Sequence, residues 1–291
     1  MAPSSYIAKR DDLGEDGFAD SGGVKIHYVT KGIGPLVILV HGIPGFWYDW
    51  RNQMPPLAKQ FQVVAIDQRG FNLSDQPEGV ENYTLDKLVG DVDAVVKHFG
   101  QQQATLVGHD SGGWISWRYA MAHPDKTERL VIVNLPHPGC LERELANNPK
   151  QQKASDYARQ IQQLPPGGRS LTHEGVTYEM TPELYASGFE DEHPQYLEAL
   201  RRTSIEAMLN FYKANYPRPP YTEEAYPPVK CPVLMIHGLD DMWLMREALN
   251  DTWRDLEKDL TLVTVPNAGH WVHHDAPVLV TKHMVRWLTQ D

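Results

Sequence analysis

The apolar positions along this chain follow two periods. Residues 24–30 alternate between apolar and polar side chains, as a half-exposed strand does, and residues 36–40 are all apolar, which is typical of a buried strand. Residues 84–99 have apolar side chains at three- and four-residue spacing, which predicts an amphipathic helix. The same criteria predict a helix at 48–59 and strands at 61–66, 104–107 and 129–134. Strands that alternate with helices in this way predict an α/β fold, with a mostly parallel sheet and helices on both faces.

The alternation stops between residues 136 and 228. This segment contains several proline pairs and charged helical stretches but no good buried strand. Beyond it, the pattern resumes with predicted strands at 231–238 and 260–265 and a closing amphipathic helix at 277–288. We therefore predict a core of residues 1–135 and 229–291 and an inserted, mostly helical cap of residues 136–228. Because ligands bind beyond the carboxyl ends of the strands in open parallel sheets, the cap is expected over that edge.

Composition and charge narrow the class of protein. A chain of 291 residues with 41% hydrophobic side chains can bury a large core without disulfides, and its two cysteines, Cys140 and Cys231, have no neighbours at metal-ligand or redox-motif spacing. The sequence contains neither a recognisable signal peptide nor an apolar run long enough to span a membrane, so a cytoplasmic location is expected. A formal net charge of -11 disfavours binding to nucleic acid.

The most informative stretch is a glycine-rich break that follows a predicted buried strand. Gly108, Asp110 and Gly112 have the spacing Gly-x-nucleophile-x-Gly, in which the small flanking residues let a strand turn sharply into a helix. Counting from Ser111 instead puts His109 where the first glycine belongs, so Asp110 is the candidate nucleophile. The alternative is an ordinary strand-to-helix turn with Asp110 as its N-cap.

Two further candidate catalytic residues follow predicted strands of the core. Asp241 lies just beyond one strand, and His270 lies in the loop after the next strand. The chain order nucleophile, acid, histidine is that of the alpha/beta-hydrolase triad. Asp240 is the rival for the acid, and Asp241 is preferred because it keeps the Gly-x-x-Asp spacing. The loop at 41–44 is the candidate oxyanion-hole loop.

The histidines near the end of the chain raise the question of a metal site. His273, His274 and Asp275 follow His270 closely, but no matching carboxylate or cysteine cluster stands out in the sequence. Neither a metal nor any other cofactor is therefore expected.

With these motifs the sequence resembles the epoxide hydrolases of the alpha/beta-hydrolase fold, which have dehalogenases as close relatives. The resemblance covers most of the chain and rests on HGIPGFWYDW at 41–50, DQRGFNLSDQP at 67–77, GHDSGGW at 108–114, VNLPHPG at 133–139, LNFYK at 209–213, HGLDD at 237–241 and AGHWV at 268–272. It implies that Asp110 is the nucleophile, His270 the base and Asp241 the acid that orients the base. Some family members place the acid after an earlier strand, where this chain has Asn134.

The resemblance also implies a reaction. An aspartate that opens an epoxide forms an ester, which water activated by His270 can cleave to release a diol, whereas a serine would form a stable ether. The backbone N–H groups of Ile43 and Ser111 would stabilise the oxyanion. Two cap tyrosines would donate a proton to the epoxide oxygen, and Tyr212 and Tyr157 match them. The expected partners are a small-molecule epoxide or organohalide and water, and a homodimer is left open.

Two alternatives stay open. A haloacid or haloalkane dehalogenase would use the same triad, but the arginines of haloacetate enzymes are replaced here by Ser111 and Trp114. The asparagine and tryptophan of haloalkane enzymes are replaced by Ile43 and Ser111. A non-catalytic ligand-binding receptor on the same fold is disfavoured by the complete set of candidate catalytic residues. The pocket is expected to be apolar and aromatic, with the candidate lining His41, Phe46, Trp47, Trp114 and Trp243.

Overall fold

The computed structural model describes residues 13–189 and 193–290, so the charged segment at residues 1–12 lies outside the described residues. The strands in this part of the chain are β1 (Glu15–Ser21), β2 (Val24–Lys31), β3 (Leu36–Val40), β4 (Gln62–Ile66), β5 (Ala104–His109), β6 (Thr127–Val133), β7 (Ser170–His173), β8 (Val176–Glu179), β9 (Val233–Gly238) and β10 (Leu260–Val265). One sheet has the order β1-β2-β4-β3-β5-β6-β9-β10, and β7 pairs with β8. In the large sheet β2 is antiparallel to β1 and β4, and all other neighbours are parallel. The predicted mostly parallel sheet is confirmed.

The helices alternate with the strands of the large sheet and fill the segment between β6 and β9. The α-helices of the described residues are α1 (Met54–Leu57), α2 (Leu85–His98), α3 (Ser111–Ala122), α4 (Pro138–Asn147), α5 (Pro149–Ala154), α6 (Asp156–Gln163), α7 (Pro182–Ala186), α8 (His193–Arg202), α9 (Ile205–Asn215), α10 (Val272–Asp275) and α11 (Pro277–Leu288). Short 3₁₀ helices occur at Trp47–Trp50, Val80–Tyr83, Pro124–Lys126, Arg246–Leu249 and Thr252–Asp255. Within residues 13–189 and 193–290, no helix has both the length and the apolarity needed to cross a membrane.

A hydrophobic cluster covers each face of the large sheet. Ile38 of β3 belongs to a cluster that also contains Val92 of α2 and Trp117 of α3. Its neighbour Leu39 belongs to a second cluster, which contains Met284 of α11. Successive side chains of a strand point to opposite faces, so the two clusters lie on opposite sides of the sheet. Helices therefore cover both faces, as the sequence pattern predicts.

Strand β1 is missing from the sequence-based prediction. Its seven residues have the burial pattern of an exposed strand, with Ala19 the buried one. The strand lies at the edge of the sheet and pairs with β2 alone. Because so little of β1 faces the core, no apolar period marks it in the sequence.

The continuous helix predicted at 48–59 is wrong. The chain instead forms the 3₁₀ helix Trp47–Trp50 and then the separate short helix α1. Pro55 and Pro56 lie in the first turn of α1, where a missing backbone N–H is tolerated. Inside a longer helix, each proline would remove a backbone hydrogen bond and clash with the preceding turn.

The segment between β6 and β9 contains α4 to α9 and the hairpin β7–β8, so it is mostly helical. The hairpin was not predicted, because its two four-residue strands are largely exposed and bury Leu171 alone. Hydrogen bonds join this segment to the rest of the chain: Asn72 N donates to Thr203 Oγ1 at 2.9 Å and Leu85 N donates to Asn215 Oδ1 at 2.8 Å. The division into a core domain and a cap domain stays a prediction.

Candidate active site

The turn between β5 and α3 places Asp110 in a strained backbone conformation. Asp110 has φ 49° and ψ -121°, and a positive φ is uncommon for a residue with a side chain. The flanking glycines make the turn sterically allowed. A Cβ atom on Gly108 would lie 2.3 Å from the carbonyl oxygen of Gly112, and one on Gly112 would lie 2.2 Å from the carbonyl oxygen of Val40. The glycine spacing that selected Asp110 from the sequence therefore has a steric cause.

The ring of His270 lies between two carboxylates. Its Nδ1 contacts Asp241 Oδ2 at 2.8 Å, and its Nε2 is 3.4 Å from Asp110 Oδ2. Asp241 is 6% exposed and His270 is also 6% exposed, so water screens these charges weakly. The rival Asp240 is exposed to solvent, which leaves Asp241 as the acid that contacts the histidine.

Backbone and amide groups hold Asp241 in place. The N–H groups of Trp243 and Leu244 both donate to Asp241 Oδ1 at 2.9 Å. Asn134 Nδ2 donates to Asp241 Oδ2 at 2.8 Å and to the carbonyl oxygen of Gly269 at 3.1 Å. The amide that stands where some relatives carry the acid thus binds the acid of this chain and the loop that precedes His270.

Asp110, Asp241 and His270 shift one another's pKa values through their charges. Burial disfavours a charged His270, but the carboxylates of Asp241 and Asp110 outweigh burial and raise the pKa of His270 to about 10. Burial alone would raise the pKa of both aspartates, but the His270 ring holds the pKa of each below its ordinary value. At neutral pH the unliganded protein therefore has a protonated His270 between two carboxylates.

The loop after β3 supplies a hydrogen-bond donor to the candidate nucleophile. The N–H of Ile43 donates to Asp110 Oδ1 at 3.0 Å. Ser111 is the first residue of α3, and its hydroxyl accepts a hydrogen bond from Gln68 Nε2 at 3.2 Å. Gly42 packs against the same turn, since a Cβ on Gly42 would lie 2.6 Å from Asp110 Cβ. The candidate oxyanion-hole loop therefore packs closely against the turn, with Gly42 beside the side chains of His109 and Asp110 and Gly112 beside the carbonyl oxygen of His41.

Tyr157 and Tyr212 come from two helices of the inserted segment, α6 and α9. Their ring centroids are 5.5 Å apart and the rings are nearly perpendicular. Burial raises the pKa of both phenols well above the ordinary value, and the negative charge of Asp110 raises each further. Gln162 Nε2 donates to the carbonyl oxygen of Tyr212 at 3.1 Å, which fixes α9 against α6. Two protonated phenols therefore lie near each other and within electrostatic range of the candidate nucleophile.

Comparisons with known proteins place this arrangement in a family. A family model described as the alpha/beta hydrolase fold matches residues 35–277. The chain belongs to the alpha/beta hydrolase fold family. It is 32% identical over 282 residues to the AB hydrolase superfamily protein YfhM of Bacillus subtilis, covering 93% of this chain and 96% of that protein.

Epoxide hydrolases are among the relatives of this alpha/beta hydrolase. It is 30% identical over 283 residues to Epoxide hydrolase 1 of Caenorhabditis elegans, covering 92% of this chain and 68% of the relative. The crystal structure of Bacillus megaterium epoxide hydrolase in complex with an inhibitor has a TM-score of 0.84 and 29% identity, covering 94% of this chain and 100% of that chain. The resemblance inferred from the sequence motifs is confirmed.

The predicted pocket residues of this alpha/beta hydrolase fall into two groups. The ring of Trp243 lies 5.3 Å from that of His270, and Trp114 packs against Tyr216 at 5.6 Å between ring centroids. Phe46 and Trp47 are only 7% and 2% exposed and belong to the hydrophobic cluster on the α11 face of the sheet. Trp243 therefore lies beside the candidate base, Trp114 lies next to Tyr216, whose ring is 6.1 Å from that of Tyr212, and Phe46 and Trp47 pack in the hydrophobic core.

His41 is completely buried and supports the candidate oxyanion-hole loop from below. Its Nδ1 donates to the carbonyl oxygen of Gly42 at 2.7 Å, and its Nε2 accepts from Gln68 N at 3.0 Å. Burial lowers its pKa, which agrees with a neutral ring that both donates and accepts. Sequence reasoning missed Gln68, although it lies in the DQRG segment that carries the family resemblance.

His109 is a second residue that sequence reasoning missed. It precedes the candidate nucleophile, and its Nε2 donates to the carbonyl oxygen of His270 at 2.9 Å. The two rings lie 4.9 Å apart. His109 thus links the turn at Asp110 directly to the backbone of the candidate base. Its place inside the Gly-x-nucleophile-x-Gly motif was the available signal.

Proposed function

We propose that this alpha/beta hydrolase opens small-molecule epoxides to vicinal diols through an ester on Asp110. The proposal rests on the hydrogen bonds and charges around the Asp110 carboxylate. The N–H of Ile43 contacts Asp110 Oδ1, and the ring of His270 contacts Asp110 Oδ2. The negative charge of Asp110 also raises the pKa of two phenols, those of Tyr157 and Tyr212, which are therefore protonated. An aspartate at this turn can form an ester with a substrate carbon, and the two phenols can donate a proton to a leaving oxygen. The relatives named epoxide hydrolases support the same activity.

In the first step, Asp110 Oδ2 attacks an epoxide carbon while Oδ1 stays bound to the N–H of Ile43. The carbon–oxygen bond of the ring breaks as the ester bond forms, and the freed oxygen takes a proton from Tyr157 or Tyr212. Esterification removes the negative charge of Asp110, which is one of the charges that raise the pKa of His270. His270 then gives up its proton, which restores the phenol and leaves a neutral ring.

In the second step, neutral His270 takes a proton from a water molecule, whose oxygen attacks the ester carbonyl of Asp110. Asp241 stabilises the imidazolium that forms, and the backbone N–H groups of Ile43 and Ser111 stabilise the oxyanion. Collapse of this intermediate breaks the ester bond to the product oxygen, which takes the second proton of the attacking water to give the diol and leaves Asp110 as a carboxylate. The resting charges of Asp110 and His270 are then restored.

The inserted segment acts in this scheme as a cap that carries the proton donors. Its Gln151 joins it to the loop of the acid, because Gln151 Nε2 donates to the carbonyl oxygen of Trp243 at 2.7 Å and Gln151 Oε1 accepts from Met245 N at 2.9 Å. The phenols and the triad are thereby held in one hydrogen-bonded unit. The substrate binds between the two tyrosines and Asp110, with Trp114 and Trp243 as apolar walls.

The covalent route is tested by a single turnover of excess enzyme in oxygen-18 water. Attack on the ester carbonyl should put the label into an Asp110 carboxylate oxygen, while the first diol carries an unlabelled oxygen from the protein. Mass spectrometry of the peptide that contains Asp110 measures this, and Asp110→Ala is the inactive control. Label found in the diol alone would mean direct attack of water and would contradict the proposal.

Substrate choice separates epoxide hydrolysis from dehalogenation, which would use the same ester. Styrene-type, aliphatic and fatty epoxides should be turned over faster than fluoroacetate or a haloalkane. The phenols favour this outcome, because a departing epoxide oxygen needs a proton and a departing halide does not. Turnover of the organohalides in preference to every epoxide would replace the proposed activity by dehalogenation.

A further inference from the structure

Three potential metal ligands meet on the face of the sheet that carries α11. Asp49 comes from the 3₁₀ helix Trp47–Trp50, and His273 and His274 come from α10. One ligand atom of each residue lies within 4.8 Å of those of the other two. Asp49 and His273 are completely buried, and His274 is partly exposed, which gives the cluster a route to solvent.

The cluster contains polar atoms that have no hydrogen-bond partner. Asp49 Oδ2 and both ring nitrogens of His273 are buried and unpaired. Most buried polar atoms in proteins are paired, because leaving one unpaired costs about 1–3 kcal/mol. A group from outside the polypeptide, either a water molecule or a metal ion, can therefore satisfy the three of them.

Hydrogen bonds around the cluster orient its members as potential ligands. The hydroxyl of Tyr196 donates to Asp49 Oδ1, whereas Asp49 Oδ2 packs against Gly45 and has no hydrogen-bond partner. His274 Nε2 donates to the backbone oxygen of Asp49 at 3.1 Å, so the other ring nitrogen, Nδ1, keeps its lone pair. Gln53 Nε2 donates to the backbone oxygen of His273 at 3.3 Å. The contacts of Asp49 with Tyr196 and of the His274 ring with a backbone oxygen are of the kind that orient metal-binding carboxylates and histidines.

The donor set selects the kind of ion. Two imidazoles and one carboxylate suit zinc and neighbouring transition metals, whereas calcium and magnesium prefer oxygen ligands. Burial lowers the pKa of both histidines well below the ordinary value, so their rings are neutral and able to coordinate. The positive charge of Arg51 lowers both pKa values further and opposes a bound cation. Binding must therefore come from coordination to nitrogen rather than from net negative charge.

We propose that Asp49, His273 and His274 form a binding site for a divalent transition metal, with zinc as the best fit. The ion would connect the segment after the oxyanion-hole loop with the helix that follows His270. Zinc lies about 2 Å from its ligands, so small rotations of these side chains bring the three ligand atoms into coordination distance. The site is separate from the ester chemistry and would act by stabilising the support of the catalytic loop.

A second cluster in the described residues provides an internal comparison. His137, Cys140 and Asp255 also bring ligand atoms within 4.8 Å of one another. Burial raises the pKa of Cys140, which favours the thiol over the metal-binding thiolate. His137 Nδ1 lies 3.4 Å from Asp255 Oδ2, and both ring nitrogens of His137 also lack a hydrogen-bond partner, so the protonated thiol of Cys140 is what distinguishes this cluster. Zinc is expected at the first cluster and not at this one.

The test measures zinc itself and does not depend on epoxide turnover. The chelator-treated full-length protein is titrated with zinc by calorimetry, and its metal content is measured by mass spectrometry after dialysis. We expect one zinc per chain and a melting temperature that rises with zinc concentration. Asp49→Asn keeps the oxygen that accepts from Tyr196 and removes the anionic ligand, so zinc affinity should fall by at least about a hundredfold. Cys140→Ser should bind zinc like the parent protein.

Three results would overturn the metal site. The parent protein could bind no zinc in the titration, Cys140→Ser rather than Asp49→Asn could lose binding, or neither substitution could change it. If Asp49→Asn fails to fold by circular dichroism, His273→Gln is the comparison variant, and unchanged zinc affinity in it would also overturn the site. Because metal content is the measured quantity, the proposed epoxide hydrolysis could fail without affecting this result.

Discussion

The hydroxyl groups of three neighbouring tyrosines differ in what they bind. The Tyr216 hydroxyl donates to Ser155 Oγ at 2.7 Å and so takes part in a structural bond within the inserted segment. The hydroxyl groups of Tyr157 and Tyr212 interact with each other, and the negative charge of Asp110 raises the pKa of both. The same side-chain chemistry therefore serves the fold at one position and, in our proposal, proton donation at the other two.

Removing single hydroxyl groups tests this difference. Tyr157→Phe and Tyr212→Phe should each slow formation of the ester on Asp110 roughly a hundredfold or more, because the epoxide oxygen then leaves with less help from an acid. Tyr216→Phe should slow it less than about tenfold, and hydrolysis of an activated ester should be little affected in all three. The measurement is the single-turnover rate of adduct formation. Unchanged epoxide turnover in Tyr212→Phe would remove this residue from the mechanism.

At the scale of elements, the junction of β5 and α3 depends on close backbone contact. Gly112 lies in the first turn of α3, and the carbonyl oxygens of Val40 and His41 leave no room for a side chain there. Gly90 in α2 has no atom within 4 Å of the position that a Cβ would take. One glycine is thus required by packing, and the other only weakens its helix.

Alanine at these two glycines should have opposite effects on the free energy of unfolding. Gly112→Ala should lower it by roughly 2–3 kcal/mol or more, because β3 or α3 must move to relieve the clash. Gly90→Ala should raise it by about 0.5–1 kcal/mol, since alanine is the better helix former. Urea denaturation of both variants measures the two values. A Gly112→Ala protein as stable as its parent would show that the backbone contact is dispensable.

At the scale of the whole molecule, buried histidines link stability to pH. Among the described residues, burial lowers the pKa of six of them, namely His41, His109, His137, His237, His273 and His274. These groups bind protons in the unfolded chain at about pH 6.5 and in the folded chain only at lower pH. His270 is the opposite case, because its pKa is raised to about 10. The histidines with a lowered pKa therefore reduce the free energy of unfolding at acid pH, and deprotonation of His270 reduces it at alkaline pH.

We predict a stability maximum near neutral pH. Below about pH 6.5 the unfolded state takes up more protons than the folded state, so the free energy of unfolding should fall steeply as pH falls. Above neutrality the contribution of His270 should disappear between about pH 6.5 and its folded pKa of about 10. Urea denaturation from pH 5 to pH 10 measures both limbs. A His270→Gln protein with the same alkaline loss as its parent would contradict the assignment to His270.

Much of the fold could be predicted because its strands bury continuous apolar runs. Strand β3 and helix α11 have the predicted bounds, since each shows its own period in consecutive residues. The edge strand β1 and the hairpin β7–β8 bury too little to leave such a pattern. The continuous helix predicted at 48–59 does not form, because Pro55 and Pro56 are not tolerated in the interior of a helix, whatever the spacing of the apolar residues.

The candidate nucleophile, acid and base were chosen from motifs that each occupy a few consecutive residues. A sharp turn requires glycines beside Asp110, and this local constraint is written in the sequence. The sequence thereby determined the fold class and the candidate catalytic residues. Only the tertiary structure decided which residues lie next to them, such as Gln68, which donates a hydrogen bond to Ser111 beside Asp110. It also decided that Asp49 lies beside His273 and His274. Asp49 and His274 are 225 positions apart, and chain folding rather than any local pattern brings such residues together.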